Sequence, residues 1–187
     1  AGLNNDPHHG HLDIGQVTVH WRDEYYITDL GSGRYFYDEK YFDELRWEYP
    51  QASSAGHNVV FVNGELQISA KYKDEPWQEG VGGEILDFET SDDLDYTLMD
   101  ATNAYPGRHL KKWRRHIILD KPVITVVLDE VSSARGAEIE ARFHSAVDAS
   151  TRDSHVLLDG DRGTMALITA VDGDVVYRPG KHPYLPV

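Results

Sequence analysis

The chain has 187 residues, enough for one domain with a substantial core. Its 18 basic and 32 acidic residues give a formal charge of −14, which argues against nucleic-acid binding through overall charge. Cysteine is absent, which excludes disulfides and thiolate metal sites, and no apolar run approaches the roughly 20 residues that span a membrane.

Residues 1–7 read as loop. His9-Gly10-His11-Leu12-Asp13-Ile14-Gly15 follows, just before an alternating apolar run of Val17, Val19 and Trp21. In extended backbone His9, His11 and Asp13 project from one face, a spacing that aims metal ligands and a proton-transfer group at one spot. A merely polar, His-rich segment explains the same residues equally well, since His8-His9 also occurs. Without thiols, any metal here is held by His and carboxylate, which suits zinc or another borderline ion.

The remaining pattern predicts short strands at residues 16–20, 25–29, 58–62, 66–72, 96–99, 116–119, 123–128, 137–144, 155–158, 165–170 and 175–177. These runs are rich in β-branched or aromatic residues and mostly bounded by Gly, Asp, Asn or Pro. Asn63-Gly64 is a strong hairpin signal; Asp159-Gly160 and Asp172-Gly173 repeat it more weakly. Only residues 38–47 suggest a helical turn or two. Many short strands with frequent turns predict an all-β, antiparallel sandwich or barrel, and the absence of a linker or repeat predicts one domain.

A second group of polar residues lies at the predicted strand ends. Thr28-Asp29-Leu30-Gly31-Ser32-Gly33-Arg34-Tyr35 closes a strand with an acid and opens a glycine-rich loop carrying a cation. Ser53-Ser54-Ala55-Gly56-His57-Asn58 precedes the most apolar strand of this half. Taken singly, Asp29 reads as a turn-capping carboxylate and His57 as a loop-edge imidazole. Taken with His11, two imidazoles and a carboxylate form a familiar zinc set.

The order His9-x-His11-x-Asp13-x-Gly15, Asp29-x-Gly31 and Ala55-x-His57-Asn58 resembles the central β-domain of the heparinase II/III-like polysaccharide lyases, a group related to alginate and oligoalginate lyases. Asp100-Ala101-x-x-Ala104-Tyr105, Arg114-Arg115-x-Ile117 and Val126-Val127-Leu128-Asp129 resemble its later strands, so the likeness covers most of residues 8–145. The resemblance implies a two-layer antiparallel β-sandwich packed against an α/α toroid, with the active site between them. It implies one structural zinc per chain at His11, Asp29 and His57, with His9 facing the substrate. The family's toroid normally supplies the catalytic tyrosine, and nothing helical precedes residue 1. The expectation is therefore a single sandwich domain over 1–187 with loop-like ends at 1–7 and 178–187, a fragment of a longer lyase and inactive alone.

The chemistry the resemblance implies is β-elimination on an anionic, uronic-acid-containing polysaccharide, in the periplasm or outside the cell. His9 is then the proton-transfer or carboxylate-polarising group, Arg34 a carboxylate clamp and Tyr35 a stacking platform. For Arg34 a solvated loop cation, and for Tyr35 core packing, are the competing readings. The basic stretch 108–116 carries five positive charges, and residues 84–100 carry seven carboxylates with no Lys or Arg. A solvent-facing strand whose cations pair with that acidic segment explains the basic stretch better than a substrate patch does. Two other classes stay open: a cupin-like metal-dependent oxygenase or isomerase, and a non-catalytic carbohydrate-binding module. No nucleic-acid or membrane partner is expected.

Overall fold

The computed structural model describes residues 10–31, 39–42, 45–69, 79–105, 110–134, 136–171 and 174–180. Eleven strands run through them: β1 (Val19–Trp21), β2 (Glu24–Ile27), β3 (Val60–Val62), β4 (Glu84–Thr90), β5 (Leu94–Asp100), β6 (Leu110–Asp120), β7 (Ile124–Ser133), β8 (Ile139–Ala141), β9 (Asp148–Thr151), β10 (His155–Gly160) and β11 (Gly163–Ile168). Short 3₁₀ turns at Glu39–Phe42, Arg46–Glu48, Ser54–Gly56 and Thr102–Ala104 complete the regular structure of these residues. The all-β, antiparallel sandwich expectation holds, and the two turns at 39–48 sit where a helical turn or two was expected.

Among the described residues four antiparallel sheets form, ordered β1-β2, β11-β10-β9, β3-β8 and β4-β5-β6-β7. They enclose two apolar clusters. Val59, Val60, Phe61 and Val62 meet Leu110 and Trp113 of β6, with Ile14, Ala101, Ala104 and Tyr105 filling the space between. Tyr26 and Ile27 meet Leu158, with Val19, Trp21, Phe143, Val156 and Met165 around them. Each cluster is closed by residues from two different sheets, the layered burial that a sandwich requires.

Some strands depart from the sequence expectation for physical reasons. β4 was not foreseen, because all seven of its residues are exposed and it carries no buried alternation; pairing with β5 holds it. β9 was also missed, a short edge strand of small and polar residues held by β10. Asn63 and Gly64 do form a turn, with φ of +54° and +72° and Glu65 N donating to Val62 O at 3.0 Å. The turn does not lead into a strand over 66–69; β3 pairs with β8 instead. Residues 175–177 form no strand. Unforeseen, too, is the turn joining β1 and β2, where Arg22 and Asp23 take φ of +50° and +65° without any glycine.

Candidate metal centre

The described part of the histidine motif, from Gly10 onward, is not in a strand. From Gly10 to Gln16 the chain makes no sheet pairing, and its backbone polar groups are met by other segments. Arg46, itself buried, donates through Nη2 to Gly10 O at 2.7 Å. Leu12 N donates to Ala52 O at 2.8 Å, and Leu12 O accepts from Ser54 Oγ at 2.8 Å. Gln67 faces Ile14 as a sheet partner would: its Oε1 accepts from Ile14 N at 2.9 Å and its Nε2 donates to Ile14 O at 2.8 Å. A turn follows, closed by Gln16 N to Asp13 O at 2.9 Å, with Gly15 at φ +85°. That conformation suits glycine, and a side chain there would also press its Cβ to 2.6 Å from the Trp113 indole.

This irregular segment still brings His11 and Asp13 to one spot, together with His57. Each offers one nitrogen or carboxylate oxygen, and these atoms all lie within 4.8 Å of one another. The His11 and His57 rings stack at 5.2 Å between centroids. Asp29 arrives from beyond β2 and places Oδ2 at 2.7 Å from His57 Nδ1. The same Oδ2 accepts from Gln16 Nε2 at 2.8 Å, and Oδ1 accepts from Gly31 N at 2.7 Å. His11, Asp29 and His57, distant in sequence, are thus adjacent. His9, Arg34 and Tyr35 lie outside the described residues.

The turn that presents His57 is tightly built. Ser53 caps the 3₁₀ turn Ser54–Gly56, and a Cβ on Gly56 would collide with the carbonyl of Pro50 and with Leu30. Next in sequence, Asn58 is fully buried and its amide donates to Val17 O at 2.8 Å and Thr28 O at 2.7 Å. Its backbone N also donates to Gln16 Oε1, so Gln16 bridges the Asp29 carboxylate and the His57-Asn58 backbone. Arg115, fully buried on β6, forks onto Asp129 at 2.8 Å through Nε and through Nη2. Its Nη1 donates to Gly15 O at 2.7 Å and Asn58 O at 2.6 Å, tying both site-bearing loops to the sheet.

Electrostatics of the cluster favour a cation. Burial, then the nearby His57 and Arg46, push the His11 imidazole down to about 4, so it is a neutral donor at ordinary pH. Burial raises the Asp13 carboxyl. Burial acts against the Asp29 charge too, but the His57 and Gly31 hydrogen bonds outweigh it and hold that carboxyl low. An ionised Asp29 can only accept, so the proton between the two groups sits on His57 Nδ1. Among the described residues, His57 Nε2 and Asp13 Oδ1 are buried without any hydrogen-bond partner. Two bare, buried electron-pair donors in one cluster are costly unless a cation meets them. The donor set of two imidazoles with carboxylates fits zinc.

The sequence reading passed over Gln16, Arg46 and Gln67. No signal marked them, because each acts through contacts more than a dozen residues away. Asn58 and Arg115 did stand inside the quoted motifs. The basic stretch meets its expectation only in part: Arg114 pairs with Asp100 of the acidic segment at 2.9 Å, whereas Lys112 pairs with Glu130 at 2.5 Å and the fully buried Arg115 with Asp129, both on β7. Trp113 packs in the core.

No curated protein matches the chain. The sequence model of the family described as "Heparinase II/III-like, C-terminal" matches residues 1–182, and with the motif order and β-sandwich above, the chain belongs to that family of polysaccharide lyases.

Proposed function

We propose that this domain is the zinc-bearing wall of a lyase that cleaves uronic-acid-containing polysaccharide by β-elimination. The observation that carries the reading is a buried, unpartnered nitrogen of His57 beside His11 and Asp13, with Asp29 bonded to the other nitrogen of the same ring, in a chain of this family. One zinc held by these residues fixes two loops that otherwise lack sheet pairing, and its role is architectural. Family membership favours this reading over a cupin-like enzyme or a non-catalytic sugar-binding module.

In the elimination a base removes the proton alpha to the uronate carboxylate, the bond from the β-carbon to the glycosidic oxygen breaks, and an acid protonates the departing oxygen. The α-proton is weakly acidic, so charge developing on the carboxylate needs donors aimed at it. His9, two residues before His11, is the proton-transfer or carboxylate-polarising group; imidazole titrates near working pH. Arg34 clamps a carboxylate and Tyr35 stacks on a sugar ring. The catalytic tyrosine comes from an α/α-toroid domain of the parent protein, so turnover requires both domains, and the enzyme works where such polymers lie, in the periplasm or outside the cell.

Elemental analysis of the purified chain should find about one zinc per molecule. His57→Ala should abolish it, whereas His9→Ala should retain the metal and, in a protein that includes the toroid, lose formation of the unsaturated product. Loss of metal from both variants alike would refute this assignment of the two imidazoles.

A further inference from the structure

The carboxylate between the two motif loops has no assigned task. Asp13 sits two residues beyond His11, on the turn that Gln67 and Arg115 hold in place. Its Oδ1 is buried and meets no hydrogen-bond donor among the described residues. A side chain on an irregular loop has room to turn toward water, yet this oxygen is enclosed. Asp29, by contrast, has both oxygens engaged, by Gln16, His57 and the Gly31 amide.

The group whose ligand atoms all lie within 4.8 Å of one another is His11, Asp13 and His57. Ligand atoms of a tetrahedral zinc site stand about 3.4 Å apart, given bonds of about 2.0–2.1 Å. Small side-chain rotations close that difference. Fully buried His57 also keeps Nε2 bare.

We propose that Asp13 is a direct ligand of the metal, beside His11 and His57. This inference rests on the zinc reading above. With Asp13 in the set, His11, Asp13 and His57 supply three protein ligands, and Asp29 holds the His57 ring through its other nitrogen. The pattern His-x-Asp is then a two-ligand unit, and the histidine ahead of it remains for the sugar.

The test uses the 187-residue chain, stripped of metal and titrated with zinc against a competing chelator. The wild-type chain should bind one zinc, and Asp13→Asn should weaken binding by more than about 100-fold, beyond the range of outer-shell partners. Cobalt(II) loaded in place of zinc should show visible bands that change position and intensity in Asp13→Asn. Asp13→Glu, which restores a carboxylate, should recover part of the affinity. Metal-free Asp13→Asn should be at least as heat-stable as the metal-free wild type, because a bare buried oxygen has been replaced by an amide. Wild-type affinity and an unchanged cobalt spectrum in Asp13→Asn would overturn the inference while leaving the zinc site standing. So would a metal-free variant destabilised enough to account for the lost binding. A wild-type chain that binds no zinc would overturn both readings.

Discussion

At the level of single residues, the cluster makes the metal-free protein sensitive to acid. An unfolded His11 titrates at 6.5, whereas the folded one is pushed down to about 4 by burial and by its cationic and imidazole neighbours. Between those values the unfolded chain binds more protons than the folded one, so stability falls as pH drops from about 6.5 to about 4. Asp29 acts in the same direction at lower pH: its carboxyl is held low when folded, and its contribution is lost as pH falls through that depressed value. Asp13 opposes them. Its raised carboxyl means that the folded state holds a proton longer, which costs stability as pH rises past the ordinary carboxylate range. His11→Gln removes the first contribution, along with the smaller part that His11 plays in holding Asp29 low. The urea midpoint of the metal-free variant should therefore change less between pH 6.5 and pH 4.5 than that of the wild type. Equal slopes for the two proteins would assign the acid sensitivity elsewhere.

Among the elements, the segment around Ile14 shows how side chains replace a strand partner. Gln67 supplies an acceptor and a donor to the Ile14 backbone, and its own backbone N donates to Ser54 Oγ at 3.0 Å. Residues 66–69 therefore make no strand despite their composition, since Gln67 serves Ile14 and Ile68 N donates to Ala104 O. Replacing Gln67 with Met keeps the volume and removes both bonds. It leaves Ile14 N and O buried without partners, at about 1–3 kcal/mol each. Urea unfolding should show the midpoint lowered by a corresponding amount with an unchanged m-value, and zinc affinity should drop as well, because the same backbone carries His11 and Asp13. A loss under about 1 kcal/mol would mean that water takes over both groups. Sequence pattern served well at β2, β3 and β10, where burial imposes alternation or a continuous apolar run, but it found only residues 116–119 of β6 and not the half that buries Leu110, Trp113 and Arg115. It failed at β4, where exposure leaves no pattern, and at 66–69, where a distant backbone claims the side chain. That His11, Asp29 and His57 come together was legible because the motif order named all three. The network behind them was not, since Gln16, Arg46 and Gln67 are polar residues whose partners only the fold reveals.

Across the whole molecule, two apolar clusters must fold as one, and Asn58 is the joint between them. The residues flanking it belong to different tasks: His57 to the histidine–carboxylate cluster, Val59 to the first core. Its amide group donates to Val17 O and Thr28 O, on either side of the β1–β2 pair that builds the second core. Its Oδ1 accepts from His144 N at 2.6 Å, where the chain passes from β8 of one layer toward β9 of another. Its own carbonyl accepts from Arg115 on β6. One buried side chain thus satisfies three backbone groups from three separate segments, and no water can reach the position. Asn58→Ala leaves those three groups bare, at about 1–3 kcal/mol each, a large part of the 5–15 kcal/mol that stabilises a typical domain. The loss falls unevenly. The first core keeps its β3–β8 pairing and the Arg115 fork, whereas the second loses the bonds that fasten the β1–β2 pair to it. Native-state hydrogen exchange should report similar protection for Ile27 and Phe61 amides in the wild-type chain. In Asn58→Ala the Ile27 amide should exchange faster by at least about tenfold more than the Phe61 amide does. An equal rise at both positions would show that the two clusters open together even without the joint.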